Sequence, residues 1–101
     1  MEYFSNNDLS NHYCNSAVYV EGFTLQNASQ TYTVDKTKFY MIQITSYSTH
    51  DESITLNGVI IHLQYFTYVN QRSICYVPLK AGTTIKFNGV AGDRVDIRYL
   101  E

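Results

Sequence analysis

Charge is scarce in this sequence. Only 16% of its 101 residues are Asp, Glu, Lys or Arg, against a usual share of about 25%. With 45% hydrophobic residues, that balance points away from an intrinsically disordered chain, which combines few apolar residues with high net charge. The seven basic residues, Lys36, Lys38, Arg72, Lys80, Lys86, Arg94 and Arg98, are scattered, and the net charge is −2. Nucleic-acid binders draw their affinity from clustered basic groups on phosphates, so no nucleic-acid partner is expected. Two cysteines, Cys14 and Cys75, are too few for a disulfide framework. The three histidines, His12, His50 and His62, stand far apart, which argues against the histidine-ligated metal of a cupin-like enzyme. His12 and Cys14 lie two apart without the second pair that a zinc site needs. No run of about 18 apolar residues offers a membrane span, so no membrane insertion is expected. Met1–Asp8 lacks the basic start and apolar stretch of a signal peptide. The expectation is a chain made in a cytoplasm and not exported by the standard route.

What remains is uncharged polar residues, β-branched residues and ten tyrosines, with no tryptophan. The length allows one domain and not two. Residues 1–16 are rich in Asn and Ser and read as an N-terminal arm. From residue 17 to 101 the apolar positions recur at two rather than at three and four, which is a strand period. Tyr40, Ile42 and Ile44 share one face of a strand beginning at Lys38. Ile54 and Leu56 lead to Asn57-Gly58, a hairpin signal because both residues tolerate positive φ. Beyond it, Val59, Ile61, Leu63 and Tyr65 share one face and Ile60, His62 and Gln64 the other. Cys75, Val77 and Leu79 fall together, with Pro78 marking an edge or strand end. Ile85 and Phe87 alternate, as do Val95, Ile97 and Tyr99 against charged neighbours. The count is about eight strands, which predicts an all-β, antiparallel β-sandwich of jelly-roll type. The expected core is Ile42, Ile44, Leu56, Ile61, Leu63, Val77, Ile85, Phe87, Val95 and Ile97.

Signals for chemistry are few. The glycines sit in turns with no following helix, so no phosphate loop is formed. His50-Asp51-Glu52 reads as a solvated polar turn, without the nucleophile or pocket that acid–base work requires. Serines lack a nucleophile-elbow context. The sequence therefore predicts a chain that binds or assembles rather than catalyses, with no catalytic residue, metal or cofactor. Binding residues concentrate on loops held by a rigid scaffold. The turns around Tyr47, His50 and Asp51 and around Tyr68, Asn70 and Arg72 offer stacking rings and planar polar groups of the kind a sugar takes. They form a ligand site only if both turns lie at one end. Tyr40, Met41, Tyr65, Tyr76 and Tyr99 are the candidate oligomer interface, since tyrosine supplies contact area at low entropy cost.

Three stretches carry a family resemblance: Asp35-Lys36-Thr37-Lys38-Phe39-Tyr40-Met41-Ile42, Ile54-Thr55-Leu56-Asn57-Gly58-Val59, and Tyr76-Val77-Pro78-Leu79-Lys80-Ala81-Gly82-Thr83-Thr84-Ile85. Together they resemble the small jelly-roll heads of phage fibre and virion appendage proteins, related in architecture to the C1q and tumour-necrosis-factor fold. The resemblance implies a homotrimer with a structural or receptor-binding role on a virion, in contact with other virion proteins and with a cell-surface glycan as a candidate ligand. It transfers no catalytic residue. A free carbohydrate-binding module is the alternative.

Overall fold

The computed structural model describes residues 17–101, and the arm assigned to residues 1–16 lies outside them. Eight strands follow one another: β1 (Ala17–Thr24), β2 (Ser29–Thr33), β3 (Lys38–Thr45), β4 (His50–Leu56), β5 (Val59–Phe66), β6 (Arg72–Leu79), β7 (Thr84–Asn88) and β8 (Arg94–Leu100). They form two four-stranded sheets, β1-β8-β3-β6 and β2-β7-β4-β5, and every pairing is antiparallel. The chain is a long hairpin rolled on itself: β4 pairs with β5, β3 with β6, β2 with β7 and β1 with β8. That nesting is the jelly roll. Among the described residues no helix is long and apolar enough to cross a membrane.

The core forms where the two sheets face each other. Tyr40, Ile42 and Ile44 of β3, Ile54 of β4, Ile85 and Phe87 of β7, and Val95 and Ile97 of β8 are almost wholly buried. Phe23 of β1 sets its ring 5.8 Å from Phe87 across the gap, edge to face. Each strand contributes alternate residues inward, as a pleat requires.

β5 departs from the sequence reading. Leu63 and Tyr65, expected on the core face, are 45% and 61% exposed, while His62, Gln64 and Phe66 point inward. The register supplies the reason: Ile54 faces His62 and Thr55 faces Ile60, which leaves Ile61 as the extra residue of a bulge. A one-residue irregularity exchanges the faces of everything beyond it. Ile61 itself still packs against the core, as do Leu56 and Val77.

The rolled topology sorts the connections. β1–β2, β3–β4, β5–β6 and β7–β8 gather at one end of the sandwich, and β2–β3, β4–β5 and β6–β7 at the other. Backbone hydrogen bonds tie the first set together: Leu25 N–H to Asp93 O, Gly89 N–H to Ala28 O, Asn70 N–H to Ser46 O and Ser46 N–H to Gln71 O, all 2.8–2.9 Å.

Candidate functional site

Two features stand out: a buried polar cluster beneath the four-loop end, and an apolar edge formed by β5 and β6.

The cluster begins with β4. His50, Glu52 and Ile54 have the same parity and all turn inward. The expected solvated turn at His50-Asp51-Glu52 is therefore corrected: only Asp51 faces water, Glu52 has no exposed surface, and His50 keeps 11% of its side chain exposed. Burial is tolerated because the loop before β8 delivers Asp93, also fully buried. His50 Nε2 lies 2.8 Å from Asp93 Oδ2 and 3.1 Å from Glu52 Oε2. His50 Nδ1 is 2.8 Å from the Ser48 carbonyl oxygen; a carbonyl only accepts, so Nδ1 carries the hydrogen. Asp93 is held in turn by the backbone, with Tyr47 N–H donating to Oδ1 at 2.8 Å and Val90 N–H to Oδ2 at 3.1 Å. Phe66 closes one side, its ring centroid 5.4 Å from that of His50.

Gly89 makes the arrangement possible. A Cβ there would collide with the Glu52 carboxylate and crowd Asp93. Burial pushes the Glu52 carboxyl up to about 9, with the neighbouring Asp93 adding to the rise. Burial acts upward on Asp93 too, but hydrogen bonds from Glu52 and from the Tyr47 and Val90 amides, with the His50 charge, outweigh it and hold Asp93 below the ordinary carboxylate range. Two adjacent carboxyls are thus pushed apart, one toward the neutral acid and one toward the ion. Glu52 Oε1 has no hydrogen-bond partner among the described residues. Of the three side chains only that of His50 keeps any exposed surface.

Above it lie the expected ligand residues. Tyr47 and Tyr68 are 63% and 60% exposed. The two turns do share one end: Ser46 donates from Oγ to the Tyr68 carbonyl at 2.7 Å, and Gln71 N–H donates to Ser46 Oγ at 3.0 Å. Asn70 adopts a φ of 65° at the tip of its turn, and Asp51 and Arg72 are exposed. His50 leaves this group, because its polar atoms are engaged below. The Tyr47 ring rests on the backbone of Gly92, so close that no side chain would fit there.

The apolar edge is carried by the last strand on one side of each sheet. Eleven large hydrophobic side chains are exposed among the described residues, and eight of them are Val59, Ile60, Leu63, Tyr65, Tyr68, Val69, Ile74 and Tyr76. All eight lie on β5, β6 or their connection. From Val59 to Leu79 the sequence carries one formal charge, Arg72. Phe39, 43% exposed, extends the surface from β3, opposite Pro78 in the register. Of the expected interface residues, Tyr65 and Tyr76 belong to this edge, and Met41 is half-buried opposite Tyr76. Tyr40 and Tyr99 do not: they are 1% and 9% exposed, with ring centroids 6.3 Å apart inside the sandwich. Tyr40 O–H donates to the Lys36 carbonyl at 2.6 Å. Both follow the inward parity of their strands, so neither offers surface to a partner.

No protein-family model matches this sequence, and no curated protein does.

Proposed function

We propose that this domain is a non-enzymatic structural or host-interaction component of a bacteriophage virion, and that it self-associates through its β5–β6 edge as a trimer. One observation carries the assembly reading: among the described residues, eight of the eleven exposed large apolar side chains lie on that edge and its loop. Edge strands present unpaired backbone groups, and proteins ordinarily guard them with charge, proline or a cover. Here Arg72 is the only formal charge from Val59 to Leu79, and Pro78 stands at the end of β6. The guard is slight, so the cover falls to another chain. Eight half-exposed side chains offer on the order of the 800 Å² per partner that a standard interface buries. A second copy fits as occupant because cyclic symmetry lets one patch pattern serve every subunit. The nested strand order agrees with the C1q-like architecture that the sequence resembles, and the resemblance supplies the virion setting.

Hydrogen exchange at low and high protein concentration tests the surface. Amides of β5 and β6 should gain protection as concentration rises, while those of β1 and β2 should not. Protection that is equal at both concentrations, or that rises on β1 and β2 instead, overturns the reading.

The four-loop end favours a second role, contact with a glycan. Tyr47 and Tyr68 are exposed rings on neighbouring turns, and the Tyr47 ring is held against Gly92. A sugar requires such an apolar face beside planar polar groups. A glycan array on the native oligomer should give binding that is lost in Tyr47→Ala and Tyr68→Ala. Binding that survives both substitutions places the ligand elsewhere.

A further inference from the structure

We propose that His50, Glu52 and Asp93 bind one divalent transition-metal ion of the zinc type per chain, and that this ion pins the four-loop end of the sandwich. The three side chains present ligand atoms within 4.8 Å of one another. Imidazole nitrogen with carboxylate oxygen is a zinc donor set, whereas calcium and magnesium prefer oxygen alone.

Orientation supports this assignment. His50 donates Nδ1–H to the Ser48 carbonyl, so a neutral ring turns the Nε2 lone pair toward the two carboxylates. Metal-bound histidines are oriented in this way by a second-shell acceptor on the other ring nitrogen. Asp93 is likewise fixed by two backbone N–H donors. His50 Nε2 stands 2.8 Å from Asp93 Oδ2 and 3.1 Å from Glu52 Oε2, and lone pairs facing one another at such distances demand positive charge between them. Protons meet part of that demand, since one on Nε2 or on Glu52 bridges two atoms. They leave Glu52 Oε1 bare, although its side chain is wholly buried and its carboxylate reaches into the cluster. A cation held by both oxygens of Glu52 leaves no orphan atom. Charge balance agrees, because a divalent ion with two carboxylates and a neutral imidazole is neutral, as a buried cluster must nearly be. Ligand atoms around a tetrahedral zinc sit about 3.4 Å apart for bonds of about 2.1 Å. The two contacts of His50 Nε2, at 3.1 and 2.8 Å, therefore lengthen by about 0.3 and 0.6 Å to reach that spacing.

The ion joins β4 to the β7–β8 loop, and through the Tyr47 amide it steadies the β3–β4 turn. None of the three ligand residues is among the exposed apolar side chains of the β5–β6 edge, so metal uptake and self-association are read by separate experiments.

The native chain is stripped with chelator and titrated with zinc, with metal content and the unfolding temperature as readouts. The expected result is one zinc per chain and a rise in Tm of about ten degrees at a hundredfold excess over Kd, reversed by chelator. His50→Ala and Glu52→Gln should abolish uptake, while Asp51→Asn, on the exposed face of the same strand, should retain it. If a variant fails to fold, nitrogen chemical shifts of the native imidazoles decide: zinc must move Nε2 of His50 and leave His62 unchanged. A stripped chain that takes up no zinc, manganese or cobalt overturns the proposal, as does uptake that persists in His50→Ala.

Discussion

Single residues decide what each face of a strand does here, and tyrosines show it best. Tyr99 and Tyr76 are both strand tyrosines, yet one is 9% and the other 57% exposed. Tyr99 packs edge to face on Tyr40, with the Lys38 ammonium 4.9 Å from its ring centroid. Tyr99→Ser should therefore damage the fold of the single chain, costing about 3 kcal/mol as for other buried aromatic truncations. Urea denaturation reads this directly; an unchanged midpoint would put Tyr99 at the surface. His62 makes a second prediction. It turns inward and meets Ser73 Oγ across the sandwich at 2.5 Å, and burial lowers its pKa from 6.5. Above that value neither the folded nor the unfolded chain holds the extra proton. Below it the unfolded chain takes up a proton that the folded chain resists, so stability falls as the pH drops. His62→Gln removes that contribution. Between pH 7 and pH 5 the variant should lose less stability than the native chain in parallel denaturant titrations. Equal losses would show that His62 is solvated in the folded state.

At the scale of elements, legibility followed periodicity. β3, β7 and β8 alternate cleanly, so Ile42, Ile44, Ile85, Phe87, Val95 and Ile97 are readable as core from the sequence alone. β5 was not readable, because it is apolar on both faces and its parity is set by a bulge opposite β4. No local feature of Ile60-Ile61-His62 announces that bulge. The turn before it is announced: Asn57 and Gly58 take φ of 51° and 79°, the left-handed pair of a tight hairpin. Gly58→Ala has open space for its methyl group but not the backbone freedom. It should cost about 1 kcal/mol through that φ alone, seen as a lower denaturation midpoint with an unchanged slope. No loss would mean that the turn rearranges. The buried cluster was half legible. His50 and Glu52 share parity with Ile54, and that alternation was the available signal; charge made the segment read as a turn instead. Asp93 lies 41 positions beyond Glu52 and reaches it only through the nested strand order, which spacing alone does not reveal.

For the whole molecule, the two features sit on different parts of one frame. The jelly roll brings four loops to one end, where Tyr47 and Tyr68 are exposed over the His50–Glu52–Asp93 cluster. It also sets β5 and β6 side by side at the rim of their two sheets, where the exposed apolar side chains collect. An isolated chain would leave these apolar side chains in water, and large exposed apolar surface marks an interaction site. Tyr65 and Tyr76 carry much of it and point away from the core, so charging them should leave the fold intact. Sedimentation equilibrium of the native chain beside Tyr65→Lys/Tyr76→Lys tests the account most directly. The native chain should sediment at three times its 11.6 kDa, and the double variant at the mass of one folded chain. A native chain that stays monomeric at every concentration, or a double variant that remains trimeric, would contradict it.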